Sequence, residues 1–129
     1  NLLYRCVTED TDGNITYSAL DVDCFRKRGV PIGKSPFNTE VVIGSRQSDK
    51  QGVICIGMEE QEACQKTANK INEKVSGNKN VGGSGGTDLK SSVLYYAECN
   101  NGTTCDGGAF ANAGNITHTL QVIINGYKL

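Results

Sequence analysis

The sequence predicts an α+β fold in which an antiparallel β-sheet packs against one or two helices and disulfides staple the layers into a sandwich. Three observations lead to this prediction: short β-forming segments recur between turns, one strongly periodic helix lies among them, and the cysteines are even in number. A chain of 129 residues has the size of one domain. We therefore expect a single domain over residues 1–129.

Six segments rich in β-branched, aromatic or other apolar residues are predicted to form strands. The Asp12-Gly13 pair between the first two favours a hairpin. The fourth segment is apolar throughout and is expected at the centre of the sheet. Pro31 and Pro36 indicate a loop before the third strand. The predicted strands cover residues 2–7, 15–20, 39–43, 52–56, 92–99 and 117–127.

One helix is predicted over residues 59–75. Apolar residues recur in it at spacings of four, three and four, which places them on one stripe. Glutamates at its start and lysines near its end favour the helix dipole, and Gly77 supplies a left-handed stop. Because Cys64 lies on the stripe, we expect it to link the helix to the sheet. The stripe consists of Cys64, Ala68, Ile71 and Val75.

A glycine-rich stretch at about residues 77–88 is predicted to be a flexible surface loop. A phosphate-binding loop is the alternative, but the Gly-x-x-x-x-Gly-Lys-Ser/Thr pattern is absent and no helix follows. Ser84 fits the Gly-x-Ser-x-Gly pattern of a serine nucleophile only because the stretch is full of glycine. A flexible connection is the interpretation that we prefer.

The cysteines predict disulfides rather than a metal site. No pair has the Cys-x-x-Cys spacing, and the single histidine, His118, lies outside any Cys/His cluster. Three disulfides, each contributing about 2–4 kcal/mol, suit a chain with no Trp and a small apolar fraction. Reduced thiols in a cytosolic protein are the alternative. The predicted bridges use Cys6, Cys24, Cys55, Cys64, Cys99 and Cys105.

Secretion to the extracellular space is predicted from the cysteines together with three Asn-x-Thr sequons. We expect the chain to be a mature form whose targeting segment has been removed. The basic run Arg26-Lys27-Arg28 is interpreted as a processing site or an anionic-surface contact, with a solvated loop as the alternative. The predicted glycan acceptors are Asn14, Asn101 and Asn115.

Charge and hydropathy limit the partners that we expect. Thirteen Lys and Arg against fourteen Asp and Glu give a net charge of −1, which is too little positive charge to gather nucleic acid by charge alone. No apolar run approaches the roughly 18–20 residues that a membrane span needs. We predict no cofactor and no metal ligand set.

Catalysis has little support in the sequence. Acid–base catalysis needs two positioned titratable groups, so a single histidine excludes a two-histidine ribonuclease mechanism. His118 with a carboxylate such as Glu98 is the version that remains. We prefer a structural role for His118 and assign no catalytic residue.

Several short motifs are shared with a known family. They are Tyr4-Arg5-Cys6, Glu62-Ala63-Cys64, Cys99, Cys105, Asp106-Gly107-Gly108, Ala113-Gly114-Asn115 and the closing run at residues 119–125. With these motifs the chain resembles the small secreted killer toxins of smut fungi and the effectors that share their fold. The resemblance implies a disulfide-bonded α/β sandwich that acts outside the producing cell. Family members inhibit competitors, in some cases by disturbing membrane ion channels, and carry no catalytic residues.

The same resemblance favours a particular disulfide pairing. It implies a bond between Cys64 and Cys24, which leaves Cys6 to pair with Cys99. From the residues alone, a bond between Cys64 and Cys55 is also open, although the link to Cys24 closes a longer loop. No functional residue is carried over from the toxin family.

Tyr4-Arg5-Cys6 is also similar to the Tyr-x-Cys signature of the ribonuclease-like effectors of powdery mildews. Many of those proteins are catalytically inactive binding scaffolds.

The expected function is therefore a secreted, cysteine-rich toxin or effector that binds a protein or membrane component of a target cell without catalysis. A secreted ribonuclease-like protein, catalytic or degenerate, is the alternative.

Overall fold

The computed structural model describes residues 7–9, 11–17, 30–46, 48–82, 88–105, 108–110 and 113–128. Within these residues, an antiparallel five-stranded sheet packs against one helix, and two disulfides are formed. The predicted α+β class is confirmed. The single domain over residues 1–129 stays a prediction.

The main sheet is assembled from strands in both halves of the chain. In chain order the elements are β1 (Val7–Glu9), β2 (Ile15–Tyr17), β3 (Val30–Lys34), β4 (Glu40–Ser45), β5 (Gln51–Met58), α1 (Gln61–Ser76), β6 (Tyr95–Asn101), β7 (Thr104–Cys105), β8 (Gly108–Ala109) and β9 (His118–Lys128). The strand order in the main sheet is β3-β4-β5-β9-β6, so the apolar β5 is central, as predicted. β1 pairs with β2 and β7 with β8 in two small ladders.

The predicted N-terminal hairpin is confirmed, with shifted bounds. β1 and β2 are antiparallel, and Gly13 in the turn has a positive φ of 83° that glycine adopts readily. Thr8 and Glu9, which were predicted in the turn, belong to β1. Residues 2–6 and 18–20 of the predicted strands lie outside the described residues.

The loop predicted around Pro31 is wrong, because Pro31 lies in β3. β3 is an outer strand of the main sheet, and its register with β4 is irregular between Pro31 and Gly33. Proline is tolerated on an outer strand or at a bulge, where its missing N–H does not interrupt a ladder on both sides. Pro36 lies in the turn that follows, as predicted.

The predicted helix is confirmed over Gln61–Ser76. Cys64 and Ala68 on its stripe are buried, and Ile71 packs against the same cluster. Gly77 ends the helix in the left-handed region with a φ of 81°, and its N–H donates to the carbonyl oxygen of Glu73 at 2.8 Å.

Each face of the sheet has its own core and its own disulfide. Cys64–Cys99 joins α1 to β6 on the helix side, and Cys55–Cys105 joins β5 to β7 on the other side. The helix-side core contains Met58, Cys64, Ala68, Ala97 and Leu120. The opposite core contains Val42, Val53, Cys55, Val81, Tyr96, Cys105 and Ile123.

The expected pairing of Cys64 with Cys24, and of Cys6 with Cys99, is wrong, and so is the alternative bond from Cys64 to Cys55. α1 packs mainly against β6, and Cys99 of β6 lies with its Cα 5.6 Å from that of Cys64. This distance is within the range of about 4.4–6.8 Å that a disulfide spans. The preference for a long loop concerns the unfolded chain and does not decide which cysteines meet in the native fold.

The third disulfide stays a prediction, because Cys6 and Cys24 lie outside the described residues. The other four cysteines are paired with one another, so an intramolecular third bond must join Cys6 to Cys24. Proteolysis without reductant is expected to release these two cysteines in one linked peptide pair, which mass spectrometry detects and reduction separates. Alkylation of either cysteine in denatured, unreduced protein would contradict the prediction.

Candidate functional site

His118 is held by a hydroxyl group at the start of β9. Its Nδ1 atom lies 2.8 Å from Oγ1 of Thr117, which donates to the carbonyl oxygen of Glu59 at 2.9 Å. In the sheet register His118 stands between Met58 of β5 and Asn101 of β6. The side chain is half-buried, so the histidine belongs to the rim of the sheet rather than to its core.

The acid–base pair of His118 and Glu98 is not formed. Glu98 stands opposite Gln121 of β9, and side chains alternate along a strand, so His118, three residues before Gln121, points to the other face. Glu98 instead accepts a hydrogen bond from Lys90, with 2.9 Å between Oε1 and Nζ. This bond raises the pKa of Lys90, although partial burial opposes the shift. The carboxylate therefore neutralises a lysine.

All three predicted glycan acceptors are exposed, as an acceptor must be. Asn101 and Asn115 lie at the same end of the sheet as His118, and Asn115 lines a cleft of about 450 Å³ next to the β3–β4 turn. Asn14 lies in the turn between β1 and β2. Glycosylation itself stays a prediction.

Some predicted features lie wholly or partly outside the described residues. Arg26, Lys27, Arg28 and Ser84 are not among the described residues. The base of the glycine-rich stretch is closed by a hydrogen bond from the N–H of Leu89 to the carbonyl oxygen of Val81, at 2.8 Å.

Where the structure describes the chain, it brings together no group of three or more His, Cys, Asp or Glu side chains that could hold a metal ion. No helix there has the length and apolar content required to cross a membrane.

The turn between β3 and β4 presents apolar side chains to solvent. The N–H of Ser35 donates to the carbonyl oxygen of Thr39 at 2.8 Å, and Asn38 donates back to Ser35 at 2.9 Å. Asn38 itself adopts a left-handed φ of 60°, which asparagine tolerates. Ile32 and Phe37 are 52% and 44% exposed. We call the exposed residues Ile32, Lys34, Pro36 and Phe37 the tip.

Side-chain hydrogen bonds anchor the tip to the sheet. The Oγ atom of Ser35 accepts the N–H of Phe37 at 3.1 Å and lies 2.7 Å from Oγ1 of Thr39. The hydroxyl of Thr39 donates to the carbonyl oxygen of Gly57 in the central strand β5. These bonds order the backbone of the turn on which the exposed Phe37 lies.

A second surface is a groove of about 690 Å³ along the outer edge of β6. Among the residues that the structure describes, β6 is the last strand in the order of the main sheet, and the groove lies between this strand, α1 and the segment that follows α1. We call it the edge groove. It is lined by Gln65, Asn69 and Asn72 of α1, by residues 79–82, by Lys90 and by residues 97–100 of β6.

Within the edge groove, the side chain of Asn72 forms the pair of hydrogen bonds to β6 that a neighbouring strand would form. Its Oδ1 atom accepts the N–H of Ala97 at 2.7 Å, and its Nδ2 donates to the carbonyl oxygen of the same residue at 3.0 Å. Nδ2 also lies 3.3 Å from the carbonyl oxygen of Lys79. Asn72 is only 4% exposed. The sequence carried one signal for it, since Asn72 follows Ala68 by four residues and so interrupts the apolar stripe.

Known proteins provide no assignment for these surfaces. The resemblance to killer toxins stays a hypothesis drawn from short motifs. Comparison of the chain with protein-family models, with curated proteins and with solved structures found no match.

Proposed function

We propose that the chain is a secreted, cysteine-rich toxin or effector that binds a protein or membrane component of a target cell without catalysis. The tip is the observation that carries this proposal. Phe37 is exposed on a hydrogen-bonded turn and Ile32 is exposed on the adjoining strand β3, although polar side chains would be better solvated at both positions. Exposed apolar side chains rimmed by polar groups are typical of interaction surfaces.

The composition of the tip suits contact with a partner. An aromatic side chain supplies a large apolar contact area with few rotatable bonds, and such residues dominate the energy of many interfaces. The backbone of Phe37 is ordered by the hydrogen bond from its N–H to Ser35, so little backbone entropy is lost on binding. Lys34 is also exposed and stands opposite Glu40 in the register of β3 with β4.

Two further features support action outside the cell. The disulfides Cys55–Cys105 and Cys64–Cys99 are of the kind that persists in oxidising compartments. The exposed sequons are compatible with passage through a secretory pathway. The resemblance to killer toxins and effectors suggests fungal or plant cells as the first targets to test.

The tip is expected to decide binding to target cells. We expect the double variant Ile32→Ser with Phe37→Ser to bind at least about tenfold more weakly, because it removes the exposed apolar contact area of the tip. The measurement is the uptake of fluorescently labelled, disulfide-intact protein by intact fungal and plant cells, together with inhibition of their growth. Protease treatment of the cells separates a protein target from a lipid one.

Leu94→Ser is the matched control. Leu94 is 76% exposed and precedes β6 at the end of the sheet opposite the tip, so its replacement removes similar apolar area elsewhere. Equal binding by the tip variant and the wild type would contradict the role of the tip. Cleavage of RNA by the wild type that is lost in a folded His118→Ala variant would instead favour the ribonuclease-like alternative.

A further inference from the structure

We propose that the edge groove binds an extended peptide segment of a partner protein, which adds a short strand to β6 beside Cys99 and Asn101. Peptide binding here is one form of the protein binding proposed above and rests on it. Three features meet in the groove: an outer strand edge, a wall of side-chain amides and a lysine at the rim.

The backbone of β6 presents hydrogen-bonding groups to the groove. The N–H and C=O of Ala97 point away from β9, because both bind the side chain of Asn72. Backbone groups alternate in direction along an antiparallel strand, so those of Cys99 and Asn101 point the same way as those of Ala97. An extended peptide in the groove would pair with the groups of Cys99, which lines the groove, and would continue to those of Asn101 just beyond it, as in β-strand addition. Asn72 shows that this edge already accepts an amide as its partner.

The helix supplies a second set of polar groups. Gln65 donates from Nε2 to Oδ1 of Asn69 at 3.0 Å, which uses one donor of the first amide and one acceptor site of the second. Each amide has two donors and an acceptor oxygen, so the carbonyl oxygen of Gln65 and the NH₂ group of Asn69 keep capacity for a peptide backbone. The groove volume of about 690 Å³ lies within the range of about 300–1,000 Å³ that is usual for ligand sites.

The charge of the groove favours an acidic side chain in the peptide. Lys79 is exposed at the rim, whereas Lys90 is paired with Glu98 at 2.9 Å. Among the residues that line the groove, lysines therefore outnumber carboxylates. A glutamate or aspartate of the added strand would neutralise Lys79.

The probe for this site is a heptapeptide of alternating threonine and serine with a central glutamate, acetylated and amidated at its ends. Strand addition uses the peptide backbone, so one defined sequence suffices. Titration of isotope-labelled, disulfide-intact protein is expected to give saturable NMR shifts that are largest at the amides of Cys99 and Asn101. The same peptide N-methylated at alternate backbone nitrogens is expected to bind at least about tenfold more weakly, because its donors are removed.

Two variants of the chain test the same binding site. Lys79→Glu is expected to weaken binding of the glutamate peptide about fivefold or more, and to leave binding of a glutamine analogue less affected. In unglycosylated protein, Asn101→Pro removes an outward N–H and is expected to weaken binding of both peptides, with its melting temperature as the check on folding. Lys70→Glu is the control, because Lys70 is an exposed lysine of α1 that does not line the groove.

Equal binding of the N-methylated and unmodified peptides would overturn the proposal, as would shifts centred away from β6 or no saturable shift at all. Dimerisation of the protein with shifts at Cys99 in the absence of peptide would show that a second copy occupies the groove, which also overturns it. Loss of cell binding in the tip variant with retained peptide binding would separate this site from the proposed action of the tip.

Discussion

Replacing both Cys64 and Cys99 with alanine is expected to lower the free energy of unfolding by about 4 kcal/mol. The bond closes a separation of 35 residues, and its loss returns that freedom to the unfolded chain. It is also the covalent link between α1 and the outer strand β6. A domain of this size has about 5–15 kcal/mol of stability in total, so the loss is severe. Thermal unfolding without reductant is expected to show a fall of more than about 10 °C.

The control for this experiment is His118→Ala. His118 is half-buried and contacts the hydroxyl of Thr117, so its loss is expected to cost less than about 1 kcal/mol. Loss of any one sequon asparagine is expected to cost as little, because all three are exposed. The disulfide variant could melt within a few degrees of wild type while His118→Ala is unfolded. That result would show that His118, and not the Cys64–Cys99 bond, stabilises the fold.

The sequence predicted the elements whose signals are local. The spacing of Cys64, Ala68 and Ile71 and the stop at Gly77 placed the helix within two residues of its observed bounds. The apolar run of β5 placed that strand at the centre of the sheet. These signals depend only on the spacing of apolar residues, on their burial and on local backbone angles. Residues that are close in sequence determine all three.

The disulfide pairing and β3 depended on tertiary position and were missed. Pro31 indicates a loop unless the strand is known to lie at the edge of a sheet, and that position is set by β4 and β5 rather than by the proline itself. The partner of Cys64 depended on which strand the helix covers. The helix and β6 are separated in the chain by the glycine-rich stretch. No residue near Cys64 in the sequence indicates that β6 is the strand against which the helix packs.

The candidate surfaces were missed for related reasons. The edge groove forms between a helix and a strand that are distant in sequence, and the tip lies where a loop was predicted. Asn72 was the one residue with a readable signal, since a polar side chain on an apolar stripe needs a partner. Its partner, the backbone of Ala97, has no sequence signature at all.

Replacing Asn72 with alanine is expected to lower the free energy of unfolding by about 2–4 kcal/mol, because each buried backbone group left without a partner costs about 1–3 kcal/mol. Both backbone groups of Ala97, which is 3% exposed, lose their partner in this variant. Urea denaturation measures the loss, and hydrogen exchange is expected to accelerate at the Ala97 amide. Asn69→Ala, one turn earlier on a half-exposed face, is expected to cost less than about 0.5 kcal/mol.

Asn72→Asp distinguishes the paired hydrogen bonds from simple filling of space. A protonated aspartic acid can accept the N–H of Ala97 and donate to its carbonyl oxygen, whereas the carboxylate faces that oxygen with negative charge. Burial and this contact favour the neutral form, so the pKa of the new side chain is raised above its value of about 3.9 in the unfolded chain. A carboxyl pKa that is raised in the folded state adds stability that is fully present below the unfolded-state pKa and is lost as pH rises through the folded-state pKa. The gap in unfolding free energy between wild type and Asn72→Asp is therefore expected to narrow from pH 7 to pH 5. A gap that stays constant over this range would show that Asn72 acts by its volume and not by its two bonds to the β6 edge.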